Sequence, residues 1–195
     1  KKLASRTKGK LHPIEVCRAV RPVLEADAEA VLVCDGGEFA QWAQSLLPIN
    51  RRIINSVSGS IGASMPFAIA ARTVEAKAPI IAILGDGTFG FHMAEIETAV
   101  RRDLPFVAIV GNDAAWNAEK QIQLREYGAQ RAHGCDLTPA RYDLVAEGLG
   151  ARGWLVTTPA EMQSALDEAL ACGQPAILNV MLEGQAAPLV RRGKV

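Results

Sequence analysis

Short unbroken apolar runs alternate along this chain with longer stretches whose apolar residues recur at helical spacing. The runs Ala30 to Cys34, Ile80 to Leu84, Phe106 to Val110 and Ala176 to Met181 are rich in Val, Ile and Leu, with Gly, Pro or Asp beside most of them. Runs of this kind predict strands covered on both faces, as in a parallel sheet. Arg52 to Asn55 and Gly153 to Val156 read as two shorter strands. Between the strands, Ile14, Val16, Cys17, Val20, Val23 and Leu24 keep helical spacing behind Pro13, which suits a first helical position. Further helices are predicted around Gln41 and Trp42, through Met65, Pro66 and Ile69, on the face marked by Met93, Ile96, Ala99 and Val100, and over Tyr142 to Leu149 and Pro159 to Ala171. Residues 118–127 form a polar segment, and Gly128 to Pro139 reads as a loop. The pattern as a whole predicts an α/β, doubly wound fold, with a parallel sheet of about six strands and helices on both faces.

Composition narrows this picture. A chain of 195 residues with 49% hydrophobic content can bury one substantial core. Lys+Arg and Asp+Glu both number 21, so net charge gives no reason to expect nucleic acid or an anionic membrane as partner. No run reaches transmembrane length and no signal-peptide core is visible, which points to the cytoplasm or a similar interior. Cys17, Cys34, Cys135 and Cys172 are scattered without a C-x-x-C pair and read as free thiols. Lys1, Lys2, Arg6, Lys8 and Lys10 lie in a stretch without apolar periodicity, and the chain does not begin with Met. Residues 1–10 therefore read as a linker or tail, 11–185 as the domain, and 186–195, with Arg191, Arg192 and Lys194, as a C-terminal tail.

The chemistry concentrates between Ile80 and Trp116, where a strand runs into Gly85-Asp86-Gly87-Thr88-Phe89-Gly90 and a second strand into Gly111-Asn112-Asp113. A strand, glycine turn and helix offer backbone N–H groups to a phosphate. The bare Gly85-x-Gly87-x-x-Gly90 spacing also fits a dinucleotide fingerprint, with Asp113 as the ribose acid. Asp86 argues against that reading, because a carboxylate inside a phosphate-cradling turn repels a diphosphate unless a cation lies between them. Magnesium would answer this, taking carboxylate or amide oxygens, carbonyls or waters, and the phosphates of its ligand. Asp86 and the Asn112-Asp113 pair, at the ends of adjacent parallel strands, converge on one crevice and could supply the protein's share.

These residues carry a resemblance. Gly85-Asp86-Gly87, followed by Asn112-Asp113, resembles the motif of the C-terminal pyrophosphate-binding domain of thiamine diphosphate-dependent enzymes, especially the acetolactate synthase and 2-hydroxyacyl-CoA lyase group. That motif ends in an Asn-Asn pair whose second member usually binds the metal, and this chain offers a carboxylate there. Asp113 lies 27 positions after Asp86 and Asn112 lies 26 after it, so both stay open as the side-chain ligand, with the alignment through Leu104-Pro105 favouring Asp113. The resemblance implies thiamine diphosphate and Mg2+ as cofactors, with Asp86, Asp113 or Asn112, and the backbone carbonyl of Ala115 holding the metal. It places Gly85, Gly87 and Thr88 at the diphosphate, and Trp116 near cofactor or substrate. Glu38 and Phe39 match a polar pair beside the diphosphate, an unexpected place for an acid, and Glu38 reads equally as a helix-capping group. Gly59 and Ser60 would face the aminopyrimidine, and Ile61 would prop the cofactor into its V conformation.

His92 stands as either a structural or an acid–base residue, and Gln121, Gln123 and Arg125 could face substrate. The activating glutamate would come from a pyrimidine-binding domain on another chain or a missing segment, within a homo- or hetero-oligomer, a dimer or tetramer. The chain then reads as one part of a lyase or transferase acting on a small-molecule substrate, a 2-oxo acid or 2-hydroxyacyl-CoA, and inactive alone. An NAD-type binding module and a non-catalytic regulatory domain of the same fold are the alternatives.

Overall fold

The computed structural model describes residues 3–55 and 58–188. In chain order the elements are α1 (Pro13–Ala26), β1 (Val31–Asp35), α2 (Gly37–Leu46), β2 (Arg51–Ile54), α3 (Ser64–Val74), β3 (Ile80–Gly85), α4 (Asp86–His92), α5 (Glu95–Arg101), β4 (Val107–Asn112), α6 (Asn117–Tyr127), α7 (Tyr142–Gly148), β5 (Arg152–Val156), α8 (Pro159–Ala171) and β6 (Ala176–Met181). The six strands form one parallel sheet in the order β2-β1-β3-β4-β6-β5. The expected doubly wound architecture is the observed one. The chain turns back at β1 and β3, and an open sheet of this kind places its ligand crevice beyond the strand ends at such a reversal.

The unbroken apolar runs have a simple origin in this sheet. Leu32, Cys34, Ile81, Ile83, Ile109 and Leu178 pack on one face against α1, α2 and α8. Their alternate neighbours Val31, Val33, Ile80, Ala82, Ala108 and Ile177 pack on the other face against α3, α5 and α7. A strand buried on both sides takes few polar residues away from its ends. Helix α1 begins as its sequence predicts, with Pro13 in the first turn. His12 caps it, Nδ1 accepting the Ile14 N–H over 3.1 Å while Glu15 accepts the His12 N–H over 2.9 Å.

Several boundaries differ from the sequence reading. Asp35 extends β1 one residue beyond the apolar run and is fully buried. The connection after Asp86 is two short helices, α4 and α5, and Met93 between them is 36% exposed. The polar segment after Trp116 folds as α6. All four cysteines are free thiols, and burial pushes Cys17 and Cys34 up to about 12. In the N-terminal segment, Ser5 N–H donates to Glu15 and Arg6 N–H to Glu183. Ser56, Val57, Arg191, Arg192 and Lys194 lie outside the described residues.

Candidate functional site

The parallel register sets Gly85 of β3 beside Gly111 of β4, so the residues just beyond them emerge at the same edge of the sheet. Asp86 is 1% exposed; its Oδ1 accepts the Gly87 N–H over 2.8 Å, while its Oδ2 is buried without a hydrogen-bond partner among the described residues. Burial pushes the Asp86 carboxyl up to about 6, with the N–H groups of Gly87, Ala114 and Ala115 pulling the other way. Asp113 is pushed up to about 7, first by burial and next by the charge of Asp86, against a smaller opposing pull from Lys10. The ionised form of each acid is thus disfavoured by burial, and that of Asp113 also by its neighbour's charge.

The backbone after Asp113 bends to serve this recess. Ala114 takes a left-handed conformation with φ of 58°, and the chain then pairs antiparallel with residues near Asp136. Leu137 N–H donates to the Ala114 carbonyl and Trp116 N–H to the Cys135 carbonyl, at 2.7 and 2.8 Å. Backbone alternation therefore turns the N–H and C=O of Ala115 to the opposite side. That N–H stands close enough to both carboxylates to lower them.

Glu38, Phe39, Ile61, Gly85, Asp86, Gly87, Thr88, Asp113, Ala115 and Trp116 all line one cavity of about 120 Å³. Trp116 forms a wall: a Cβ on Gly87 would sit 2.6 Å from its ring, so only glycine lets the turn and the indole close together. Phe91 meets the same indole edge-on, with ring centroids 5.9 Å apart. Small-molecule sites usually enclose several hundred Å³. This recess has room for a charged head group and an ion, and a larger ligand needs walls from outside it.

Other site residues sit apart from the cavity. Gly59 and Ser60 are exposed and do not line it. Asn112 is fully buried and donates through Nδ2 to the Ala140 carbonyl and to Asn179 Oδ1, at 2.9 and 3.0 Å. Asn179 in turn donates to Asp143, which Arg141 engages. Asn112 thus ties the loop to α7 and β6, while Asp113 takes the cavity wall. Glu38 makes no helix cap; its carboxylate accepts the Ala187 N–H. Gln121 donates to Asn117, Gln123 accepts the His133 N–H, and Arg125 pairs with Glu126. His92 Nδ1 lies 2.7 Å from the Gly62 carbonyl.

Asp35 is the residue that sequence reasoning passed over. Its Oδ2 accepts the N–H groups of Gly62 and Ser64, at 3.0 and 2.8 Å, and holds the loop that carries Ile61. A carboxylate at the end of an apolar run beside the chain reversal was the available signal.

A glycine turn that admits an acid, a second acid just beyond the next strand and a left-handed bend between that acid and an inward-facing backbone amide thus meet in one recess. The chain belongs to the thiamine pyrophosphate enzyme family: residues 35–180 match its C-terminal TPP binding domain. It is 35% identical over 182 residues to the acetolactate synthase large subunit IlvG of Mycobacterium tuberculosis, covering 91% of this chain and 32% of that protein. It is 33% identical over 181 residues to human 2-hydroxyacyl-CoA lyase 2, covering 88% of this chain and 28% of that protein. The fold of a solved thiamine diphosphate-dependent 4-hydroxybenzoylformate decarboxylase from Rhodococcus jostii RHA1 superposes with a TM-score of 0.83 at 22% identity, over 93% of this chain and 34% of that one. The chain thus spans about a third of the length of the relatives it matches. Among the described residues, no helix is long and apolar enough to cross a membrane.

Proposed function

We propose that this chain is the diphosphate- and magnesium-binding part of a thiamine diphosphate-dependent carbon–carbon lyase or carboligase, acting on a 2-oxo acid or a 2-hydroxyacyl-CoA. The observation that carries this reading is the Asp86–Asp113 pair, a buried and a half-buried carboxylate at adjacent strand ends, both raised by burial and the second raised further by the charge of the first. The buried, unpartnered Asp86 Oδ2 is the kind of atom a hard cation would satisfy. Among the described residues no group of three or more His, Cys, Asp or Glu side chains gathers to hold a metal. A cation here would therefore complete its shell with the Ala115 carbonyl, water and ligand phosphate, which is how magnesium prefers to bind.

Asp86 and Asp113 would hold the ion, and the Gly85-Asp86-Gly87-Thr88 turn would bring the backbone against the diphosphate. Ile61 would support the bent cofactor, and Trp116 would shield it from water on the side of α4. Thiamine diphosphate, when bound, supplies the carbon nucleophile that attacks a substrate carbonyl; the protein's part is to bind, orient and keep water out. The small recess and the limited span of the chain support a site completed by a pyrimidine-binding domain, carried by another segment or another chain of a cytoplasmic oligomer.

Calorimetric titration of the full-length protein tests the reading. Thiamine diphosphate should bind with Mg2+ and lose its binding when EDTA is added. Metal-independent binding of NAD, with no response to thiamine diphosphate, would overturn it.

A further inference from the structure

Three contacts converge on Gly62, the residue after Ile61. Its N–H donates to the buried carboxylate of Asp35 over 3.0 Å, and the Ser64 N–H donates to the same oxygen over 2.8 Å. Its carbonyl lies 2.7 Å from His92 Nδ1. A carbonyl oxygen can only accept, so His92 carries a proton on Nδ1. The third contact is steric. Gly62 has a φ of 107°, and a Cβ there would stand 2.8 Å from Phe91 Cβ, so the bare backbone lets the last turn of α4 close onto the loop.

This arrangement joins parts of the molecule that are remote in sequence. Asp35 ends β1, while α4 carries Asp86 at its first residue and His92 at its last. One short helix therefore reaches both the acid pair and the loop that bears Ile61. Asp35 is fully buried, which makes its two accepted hydrogen bonds costly to lose. His92 is exposed at its outer side, so replacing it disturbs the core little.

We propose that Asp35 and His92 are positioning residues that grip Gly62 from opposite sides, fixing Ile61 over the Asp86–Asp113 recess as a preformed seat for the cofactor ring. The proposal rests on the cofactor reading given above. Neither side chain is assigned contact with the cofactor; both act through the loop.

Variants of the full-length protein, His92→Ala and His92→Asn, test this. The Asn amide can donate from nearly the place of Nδ1, whereas Ala cannot. Amide hydrogen exchange over residues 58–65 should rise about tenfold in His92→Ala, and the Kd for thiamine diphosphate with Mg2+ should weaken about tenfold as preorganisation is lost. His92→Asn should return both readouts close to wild type, and Asp35→Asn, measured in the same way, should loosen the same peptide. Unchanged exchange in His92→Ala overturns the grip. Faster exchange with unchanged cofactor affinity overturns the positioning role and leaves the cofactor reading standing. Failure of the wild-type protein to bind the cofactor overturns both.

Discussion

The two ends of the sheet handle charge in opposite ways. At the end where the strands begin, every guanidinium nitrogen of Arg72 donates to a carbonyl: Nε to Pro105, Nη1 to Glu75 and Nη2 to Ala78, at 2.6, 2.7 and 2.9 Å. Arg51 beside it pairs with Glu29 and Glu75, both at 2.9 Å, and holds Glu75 down to about 2 with help from the N–H groups of Lys77 and Ala78. At the end where the strands finish, burial raises Asp86 and Asp113, the charge of Asp86 raises Asp113 further, and Asp86 Oδ2 is buried without a hydrogen-bond partner among the described residues. One end has its charges answered from within the chain; at the other, the described residues leave a buried carboxylate oxygen unanswered. Groups arranged for stability and groups arranged for binding are thereby separated along the strand axis.

The separation predicts that substitutions at the two ends have crossed effects. Asp86→Asn should weaken Mg2+-dependent thiamine diphosphate binding by about a hundredfold or more, close to 3 kcal/mol. The free protein should become no less stable, because one of two repelling charges is gone; calorimetric titration and urea melts of the same sample read both quantities. Arg72→Met should do the reverse. Its three carbonyl partners lose a charged donor, at a cost of about 2 kcal/mol in unfolding free energy, while cofactor affinity stays within about twofold. An Asp86→Asn protein that is strongly destabilised, or an Arg72→Met protein that loses cofactor, would break the comparison.

The binding end was legible in the sequence because its signals are local. Gly85-Asp86-Gly87 sits between two apolar runs, and a carboxylate in a glycine turn stands out whatever the surrounding fold. The strands were legible for a similar reason, since burial on both faces leaves unbroken apolar runs. What escaped was set by partners remote in the chain. Asp35 accepts N–H groups 27 and 29 residues away, and its place at the end of an apolar run does not say which groups it will accept. Asn112 is turned from the recess by Ala140 and Asn179, the latter 67 positions on, so spacing alone left it level with Asp113. The split between α4 and α5 escaped because Met93 and Ala94 keep helical backbone angles, and i to i+3 bonds from Ile96 and Glu97 bridge the break. Helix α6 escaped because its residues lack an apolar face of helical period.

The acid pair gives a pH signature that the other end does not share. Both carboxyls sit above the usual value of 3.8 in the folded chain, at about 6 and about 7. Between about pH 4 and pH 7 the folded state holds more protons than the unfolded one, so stability falls as pH rises through that window. The metal-free protein should lose up to several kcal/mol across it, measured by urea melts at closely spaced pH values. Mg2+ with thiamine diphosphate should flatten the slope, and Asp86→Asn should reduce it without any ligand. A metal-free protein whose stability rises steadily over the same window would show that folding does not raise the two carboxyls.

The smallest effect concerns backbone strain at the binding end. Ala114, between Asp113 and the inward-facing Ala115, has a φ of 58°, in the left-handed region that a Cβ makes costly by about 1 to 2 kcal/mol. Glycine removes that cost, but its freer unfolded chain gives back about 0.4 to 1 kcal/mol. Ala114→Gly should therefore stabilise the free protein by only about 0.5 kcal/mol, a shift that paired urea melts can resolve. Its effect on binding should have the other sign. The methyl group limits the excursions of the bend that sets Asp113, so glycine should weaken cofactor affinity by about two- to threefold through lost preorganisation. Stability and affinity moving in opposite directions at one methyl group would show that the strain is tolerated because it holds the acid in place. A gain in both would show that the bend is fixed by its pairing with Cys135 and Leu137, and that the left-handed alanine adds nothing to the site.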